Sequence, residues 1–435
     1  MTHRFLRILG AVGTACAIGL PASLAAQDLI TRDRVGLPDA PNTMTFRLTA
    51  FDLYSSDPAT REAFEALFTD FIEARPDWRI ETQISTDNIG QEQARMLEQA
   101  RAGRGPDCAM VDSSQLALYR SAGVLSPMTA HWSEDEINDL FPYVREAVTN
   151  EAGDLLAWWW FTDLRVLYRD TRVVPDAPET WAELEAAALA SVEAGQEGLL
   201  FNGGRWEGTT FDWLAHFWAQ GGRLVDNDGR PVFAEGENRE KFLAAVSFYK
   251  DLVDNGAAPP RVTSIVNYDE FNAAAAAGTA SLFIGGNWQY GQLRGTLSEE
   301  DFAAWAVSPI PGPTPDQRAT GTGGWTIAAM SDDPAKVQIC AEMIREIYSG
   351  QSNAIQGLLP TSAAQYDEFD VFEGSEFDVF AEALVDGQAR PGVPIYPEVS
   401  NAIQILMGDV LSGAATPEEA LDAANATVQA AFERL

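Results

Sequence analysis

From Thr45 onward the chain alternates strand patterns with helix patterns, and this order restricts the fold more than any other feature. Thr45 to Phe51 alternates as a strand. Asp57 then precedes Pro58, a capping residue followed by the residue best suited to a helix's first position. Phe64, Leu67, Phe68, Phe71 and Ile72 recur at helical spacing and give one apolar face. Pro76 stops this helix, and Arg79 to Ile84 alternates again with Ile80, Thr82 and Ile84 on one side. A helix from about Ile89 to Gly103, an apolar strand from Cys108 to Val111 and a helix ending at Gly123 continue the series. Strands separated by such helices pair in a mostly parallel sheet, because a parallel crossover needs a dozen or more residues.

Leu155 to Tyr168, LLAWWWFTDLRVLY, is almost uncharged and much longer than the usual strand of about five or six residues. It is predicted to bend and serve more than one sheet. Asp163 and Arg165 share one side of it, which fits either the rim of a cleft or an ion pair at a sheet edge. Thr180 to Glu183 forms a capping box that starts a helix ending near Gly195. A strand at Leu199 to Phe201 leads into the turn-rich loop Asn202 to Gly208. Phe211, Leu214, Ala215 and Trp218 define the next helix, and Phe242, Val246, Tyr249 and Val253 another. An alanine-rich helix reaches Gly278, a short strand follows, and Gly285-Gly286-Asn287-Trp288 comes after it. Ala304 to Pro309 gives a further strand, and Gly321-Thr322-Gly323-Gly324-Trp325 is a second glycine–tryptophan turn. The remainder is mostly helical, with a capping box at Thr416 to Glu419. No internal repeat or low-complexity linker occurs, so two domains would have to join through ordered strands.

At 435 residues the chain has room for two or three domains. His3, Arg4 and Arg7 precede an apolar run from Ile8 to Leu20, and Ser23-Leu24-Ala25 supplies small residues for cleavage. Residues 1–26 are therefore predicted to be a signal peptide. Cys16 lies inside the apolar run, with Gly13 where a lipoprotein signal wants leucine. The formal charge of −35 becomes −37 once Arg4 and Arg7 leave with the leader. Such a field repels nucleic acid and anionic membrane surfaces, so neither is an expected partner. Cys108 falls in an apolar strand and Cys340 on the apolar stripe of a helix, and they are expected to be two separately buried thiols.

Enzyme signatures are poor. His131 and His216 lack metal-ligand spacing, His216 reading as a core or surface histidine, and no motif for zinc, acyl-transfer or P-loop chemistry is present. No cofactor, metal or catalytic residue is expected. A glycosidase needs only two carboxylates, and 64 acidic residues cannot exclude it. Trp206, Trp288 and Trp325 each stand beside glycines at predicted strand ends, where ligands bind α/β sheets. Indole rings suit the apolar faces of a sugar, and planar polar groups suit its hydroxyls. Asp52, Asp87, Asn88, Asp112, Asp163, Arg165, Glu207 and Asn287 are the candidates for the polar part. Asp87 and Asp112 also fit plain helix caps.

Several motifs, in order, resemble those of the extracellular solute-binding proteins that feed carbohydrate ABC importers, the group containing maltose-binding protein. They are Gly105-Pro106-Asp107 before a strand ending in Asp112, Ala122 to Leu125, and Asp163 with Leu167 to Asp170. Pro178 with Thr180-Trp181 and Leu184, and Phe271, Gly278, Ala280, Leu282, Gly286 and Trp288, follow. Gly323-Gly324-Trp325, Leu359 to Thr361 and Arg390-Pro391 with Tyr396 complete the set.

The resemblance implies an α/β, two-lobed type II periplasmic-binding-protein fold with hinge strands between the lobes. Crossings are expected near Thr162, Phe283 and Gly323. Lobe one would hold 27–162 and 284–322, and lobe two 163–283 and 323–435. It also implies a monomeric, periplasmic, non-catalytic receptor for a neutral mono- to trisaccharide, which passes its ligand to an inner-membrane ABC permease. Gly324, Arg390 and Tyr396 join the candidate site from the family pattern. The alternatives are a receptor for a polyamine or glycerophosphodiester, or a secreted glycosidase.

Overall fold

The computed structural model describes residues 29–435 apart from 56, 86–88 and 363. The expected leader over 1–26 and the candidates Asp87 and Asn88 lie outside the described residues. In chain order the strands are β1 (Ile30–Thr31), β2 (Arg34–Gly36), β3 (Asn42–Leu48), β4 (Trp78–Ile84), β5 (Cys108–Asp112) and β6 (Trp158–Asp163). Then come β7 (Arg165–Asp170), β8 (Leu199–Leu200), β9 (Leu282–Gly286), β10 (Trp305–Ser308), β11 (Thr320–Ala329) and β12 (Gly387–Ala389).

One sheet has the order β1-β2-β4-β3-β5-β11-β12, with β6 also paired to β11, and the other β10-β7-β9-β8. The β3–β4 and β3–β5 pairs are parallel, as the interposed helices require. Met44, Phe46 and Leu48 alternate inward along β3. Asp57 accepts from the Thr60 amide at 2.8 Å and starts the helix Pro58–Glu73, which buries Phe64, Phe68, Phe71 and Ile72. The capping boxes at Thr180 and Thr416 are both formed.

The long apolar run does serve two sheets. Its first half is β6, its second is β7, and Leu164 alone separates them. The ten residues of β11 form the second crossing, all of them buried. Trp325 to Ala329 pair with β5, and Thr320 to Thr322 pair with β12. The Thr320 hydroxyl accepts from the Arg165 amide at 2.8 Å and donates to the Arg165 carbonyl at 2.7 Å, tying β11 to β7. A third contact joins the Thr162 amide to the Leu359 carbonyl at 2.9 Å.

Two hydrophobic cores flank these crossings, and they divide the chain differently from the expected ranges. Ile284, Leu293, Trp305, Val307 and Ala319 pack with Leu164, Phe201 and Phe271 in the second core. Trp325, Ile327, Ile339 and Met343 pack with Phe46, Phe64 and Trp159 in the first. The expected crossing at Phe283 fails because β9 is buried and held on both edges, by β7 and β8. The chain instead changes lobe along β11 and again near Leu359, which belongs to the second core.

The expectation of two separate thiols is also corrected. Cys108 on β5 and Cys340 on the helix Pro334–Ile347 form a disulfide, with Sγ atoms 2.02 Å apart and Cα atoms 5.8 Å apart. Strand and helix are distant in sequence, but they pack in one core and bring the two side chains face to face. Thiol titration of the unfolded, unreduced protein should find neither cysteine free. Replacing both by alanine should cost about 3 kcal/mol in urea unfolding, from the loss of a long covalent loop. An unchanged midpoint would contradict a formed bridge.

Candidate functional site

Two indoles at the mouth of the second lobe are seated by glycines. A Cβ at Gly208 would lie 2.3 Å from the Trp206 ring, and one at Gly286 would lie 2.1 Å from the Trp288 ring. Each indole thus folds over a residue with no side chain, and each is half-buried. Both meet Tyr268 edge to face, Trp206 with ring centres 5.3 Å apart and Trp288 at 5.0 Å. The Tyr268 hydroxyl donates to Asp212 at 2.7 Å and accepts from Arg165 Nε at 3.1 Å, which fixes the ring between the indoles.

Beneath them, Phe211 in the second turn of the helix Glu207–Ala219 lies against two guanidinium groups. The Arg165 guanidinium carbon is 4.0 Å from its ring centre and that of Arg390 is 4.1 Å. One phenyl ring therefore carries both guanidinium groups. The Arg165 group also lies 4.9 Å from the Trp288 ring centre. Backbone without side chains makes room for this packing: a Cβ on Gly321 would lie 2.4 Å from Phe211. One on Gly323 would lie 3.1 Å from both Arg390 Nη2 and Asp163 Oδ1.

The two guanidinium carbons are no more than about 8 Å apart, so the charges would repel by about 2 kcal/mol or more at an effective dielectric of about 20. Carboxylates compensate for this. Arg165 donates to Asp212 at 2.8 Å and to Asp163 at 3.0 Å. Arg390 donates to Glu207 at 3.0 Å and, across the lobes, approaches Asp112 at 3.5 Å. Glu207 further accepts from Tyr396 at 2.6 Å and from Ser400. Burial works against charge on Arg165, but Tyr268, Asp163 and Asp212 outweigh it and hold the group protonated. Arg390 is raised likewise, burial being outweighed by Asp112, Glu207 and Tyr396. Burial also lifts Asp212, and Arg165 opposes that shift.

The guanidinium side chains are only 4% and 7% exposed, whereas Glu207 is 40% and Asp112 20% exposed. The exposed charges at this surface are therefore carboxylates, and the cations are withdrawn behind them. A cavity of about 360 Å³ adjoins this floor, between Ser113, Ser114 and Trp159 on one side and Gln388 and Arg390 on the other.

The structure therefore gathers Asp112, Asp163, Arg165, Trp206, Glu207, Trp288, Arg390 and Tyr396. Four other candidates are placed differently. Asp52 is fully buried in the first lobe and accepts from the Tyr348 hydroxyl at 2.8 Å, because the chain turns inward after β3. The Asn287 side chain accepts from the Leu164 amide at 3.1 Å and serves the hinge. Gly324 takes φ +128°, where a Cβ would strike the Phe161 carbonyl at 2.0 Å, so its role is backbone fit. Trp325 is 8% exposed, with Phe51 at 5.7 Å between ring centres, and joins the first core. Phe211, Tyr268 and Asp212 were not among the candidates. Phe211 carries the helical spacing of a core residue, and Tyr268 precedes its helix without any pattern.

Among the described residues, no three His, Cys, Asp or Glu side chains are placed to hold a metal ion. His216 is buried, accepts from Trp181 Nε1 at 3.0 Å, and is pushed down to about 3 by burial. No helix among the described residues is long and apolar enough to cross a membrane.

Two α/β lobes, strands crossing between them and an aromatic, acid-lined floor at the crossing define a two-lobed solute-binding protein. Residues 56–342 match the model of the bacterial extracellular solute-binding protein family, and the chain belongs to that family. It is 30% identical over 66% of its length to a probable ABC transporter-binding protein of Deinococcus radiodurans, covering 71% of that protein. Its fold is similar to that of maltose-bound MalE3 of T. maritima, with TM-score 0.75 and 24% identity over 89% of this chain and 99% of that one. The GacH receptor of Streptomyces glaucescens, solved unliganded and with acarbose, gives TM-score 0.73 and 22% identity over 90% and 98%. The family is one of ABC-transporter binding proteins, not of enzymes.

Proposed function

We propose that this protein captures a neutral sugar of one to three rings between its lobes in the periplasm and delivers it to an inner-membrane ABC permease. The observation that carries this reading is the pair of half-buried indoles flanking Tyr268, with the half-exposed carboxylate of Glu207 next to Trp206 in the chain. Flat rings take the C–H faces of a pyranose, and fixed carboxylates accept from its hydroxyls. The maltose and acarbose in the two similar structures support the same ligand class. Asp112, Arg390 and Tyr396 would complete the polar part. Residues 1–26 would direct export and be removed.

A second reading, a polyamine, is favoured by one observation: the exposed charges of the floor are carboxylates. A glycerophosphodiester finds less support, since both arginines are already paired.

Mass spectrometry of ligand retained through purification, followed by tryptophan-fluorescence titration with that compound, tests the proposal. A sugar retained and bound saturably is the expected result, whereas saturation by spermidine alone would replace it with the second reading. Trp288→Ala should weaken sugar binding by about 2 kcal/mol, roughly thirtyfold in Kd, in a protein that still folds. An unaltered Kd would remove Trp288 from the site.

A further inference from the structure

We infer that Phe211 is a positioning residue that sets the width of the cleft through Arg390. The Arg390 side chain is held by three things: the Phe211 ring at 4.1 Å, Glu207 of the same lobe at 3.0 Å, and Asp112 of the other lobe at 3.5 Å. Only the last spans the lobes, and only the first is apolar: Phe211 is 3% exposed and also packs against the Arg165 guanidinium at 4.0 Å. The backbone of Gly321 closes on the Phe211 ring, where a Cβ would lie 2.4 Å away, and a Cβ on Gly323 would crowd Arg390 Nη2 at 3.1 Å. The flat face of Phe211 thus fixes where the Arg390 guanidinium stands, and the fork of that group fixes how far the Asp112 loop stands from Glu207.

A second close approach lies beside it. A Cβ on Gly392 would fall 2.6 Å from the Cβ of Ala117, which follows the Asp112 loop. The segment after β12 therefore touches the first lobe at two adjacent points, one by charge and one by steric contact. Without the Phe211 face, Arg390 would gain rotamer freedom and could satisfy Glu207 alone, which would release Asp112. The consequence for ligand affinity rests on the sugar-cleft reading; the consequence for lobe spacing does not.

The test uses the full mature chain with spin labels on exposed Glu98 and Glu237, one on each lobe, and pulsed-dipolar distance measurement without ligand. Phe211→Leu should broaden the distance distribution by several ångströms. Arg390→Met should broaden it equally, and the double variant no further, because both act on one contact. A folded Phe211→Leu protein with the wild-type distribution would overturn the inference. If Phe211→Leu does not fold, Arg390→Met decides alone, and an unchanged distribution there would overturn it as well. Titration with maltose, trehalose and glucose adds a second readout: a sugar bound by the wild type should bind Phe211→Leu about tenfold more weakly. Absence of binding to any of the three by the wild type would count against the sugar-cleft reading while leaving the distance result to decide the role of Phe211.

Discussion

Replacing Arg165 by methionine should destabilise the protein by about 3–5 kcal/mol, the usual cost of removing one member of a buried ion pair. Arg165 is 4% exposed and its partner Asp212 1%, so neither charge can turn to water when the other is lost. Asp212 would keep its contacts with Asn202 at 2.7 Å and Tyr268 at 2.7 Å, and these cannot replace a full positive charge. It would take up a proton more readily than in the parent protein. Its native pKa would then lie further above its unfolded value, so stability would fall as pH rises through that interval. The deficit of Arg165→Met should accordingly be smaller at pH 4 than at pH 8. Adding Asp212→Asn should recover a large part of the loss. Urea unfolding of the single and double variants at both pH values checks this, and a double variant no more stable than the single would refute it.

Asp52→Asn should stabilise the protein above neutral pH and leave it nearly unchanged in acid. The Asp52 carboxyl is pushed up to about 7 from an ordinary 3.8, mainly by burial and against the donated bond from Tyr348. Between these values the folded protein holds a proton that the unfolded chain has released. Stability therefore falls as pH rises from about 4 to about 7, by about 1.4 kcal/mol per unit and about 4 kcal/mol in all. Asparagine is neutral throughout and removes that slope. His216 has the opposite slope, because its pKa is lowered by burial, but it is common to both proteins and cancels in the difference. Unfolding midpoints of the two proteins at pH 4 and pH 8 should coincide at the first and diverge at the second. An equal difference at both would show that Asp52 does not titrate in this range.

The strands and helices were legible because each carried a local signal. The Asp57–Pro58 start, the capping boxes at Thr180 and Thr416 and the length of the Leu155 to Tyr168 run all report on residues within a few turns of one another. What was not legible depends on contacts across long stretches of chain. Nothing near Ile284 says that β9 is held on both edges, and nothing near Cys340 says which strand its helix will cover. The same limit applies to the site. Trp206 and Trp288 stood out because their glycines are adjacent in sequence. Phe211 looked like one more core position, since its role comes from arginines 46 and 179 residues away along the chain. Asp52 followed a strand as a binding residue would, yet the loop folds inward under Tyr348.

The bridge between Cys108 and Cys340 encloses the whole stretch from which most of the second lobe is made, a separation of 232 residues. A single protease cut within that stretch would leave both pieces covalently attached. Such nicked molecules would migrate as intact protein until a reductant is added. Damage to the outer face of the second lobe would then not shed it from the first, and a clipped receptor could still return to its paired form.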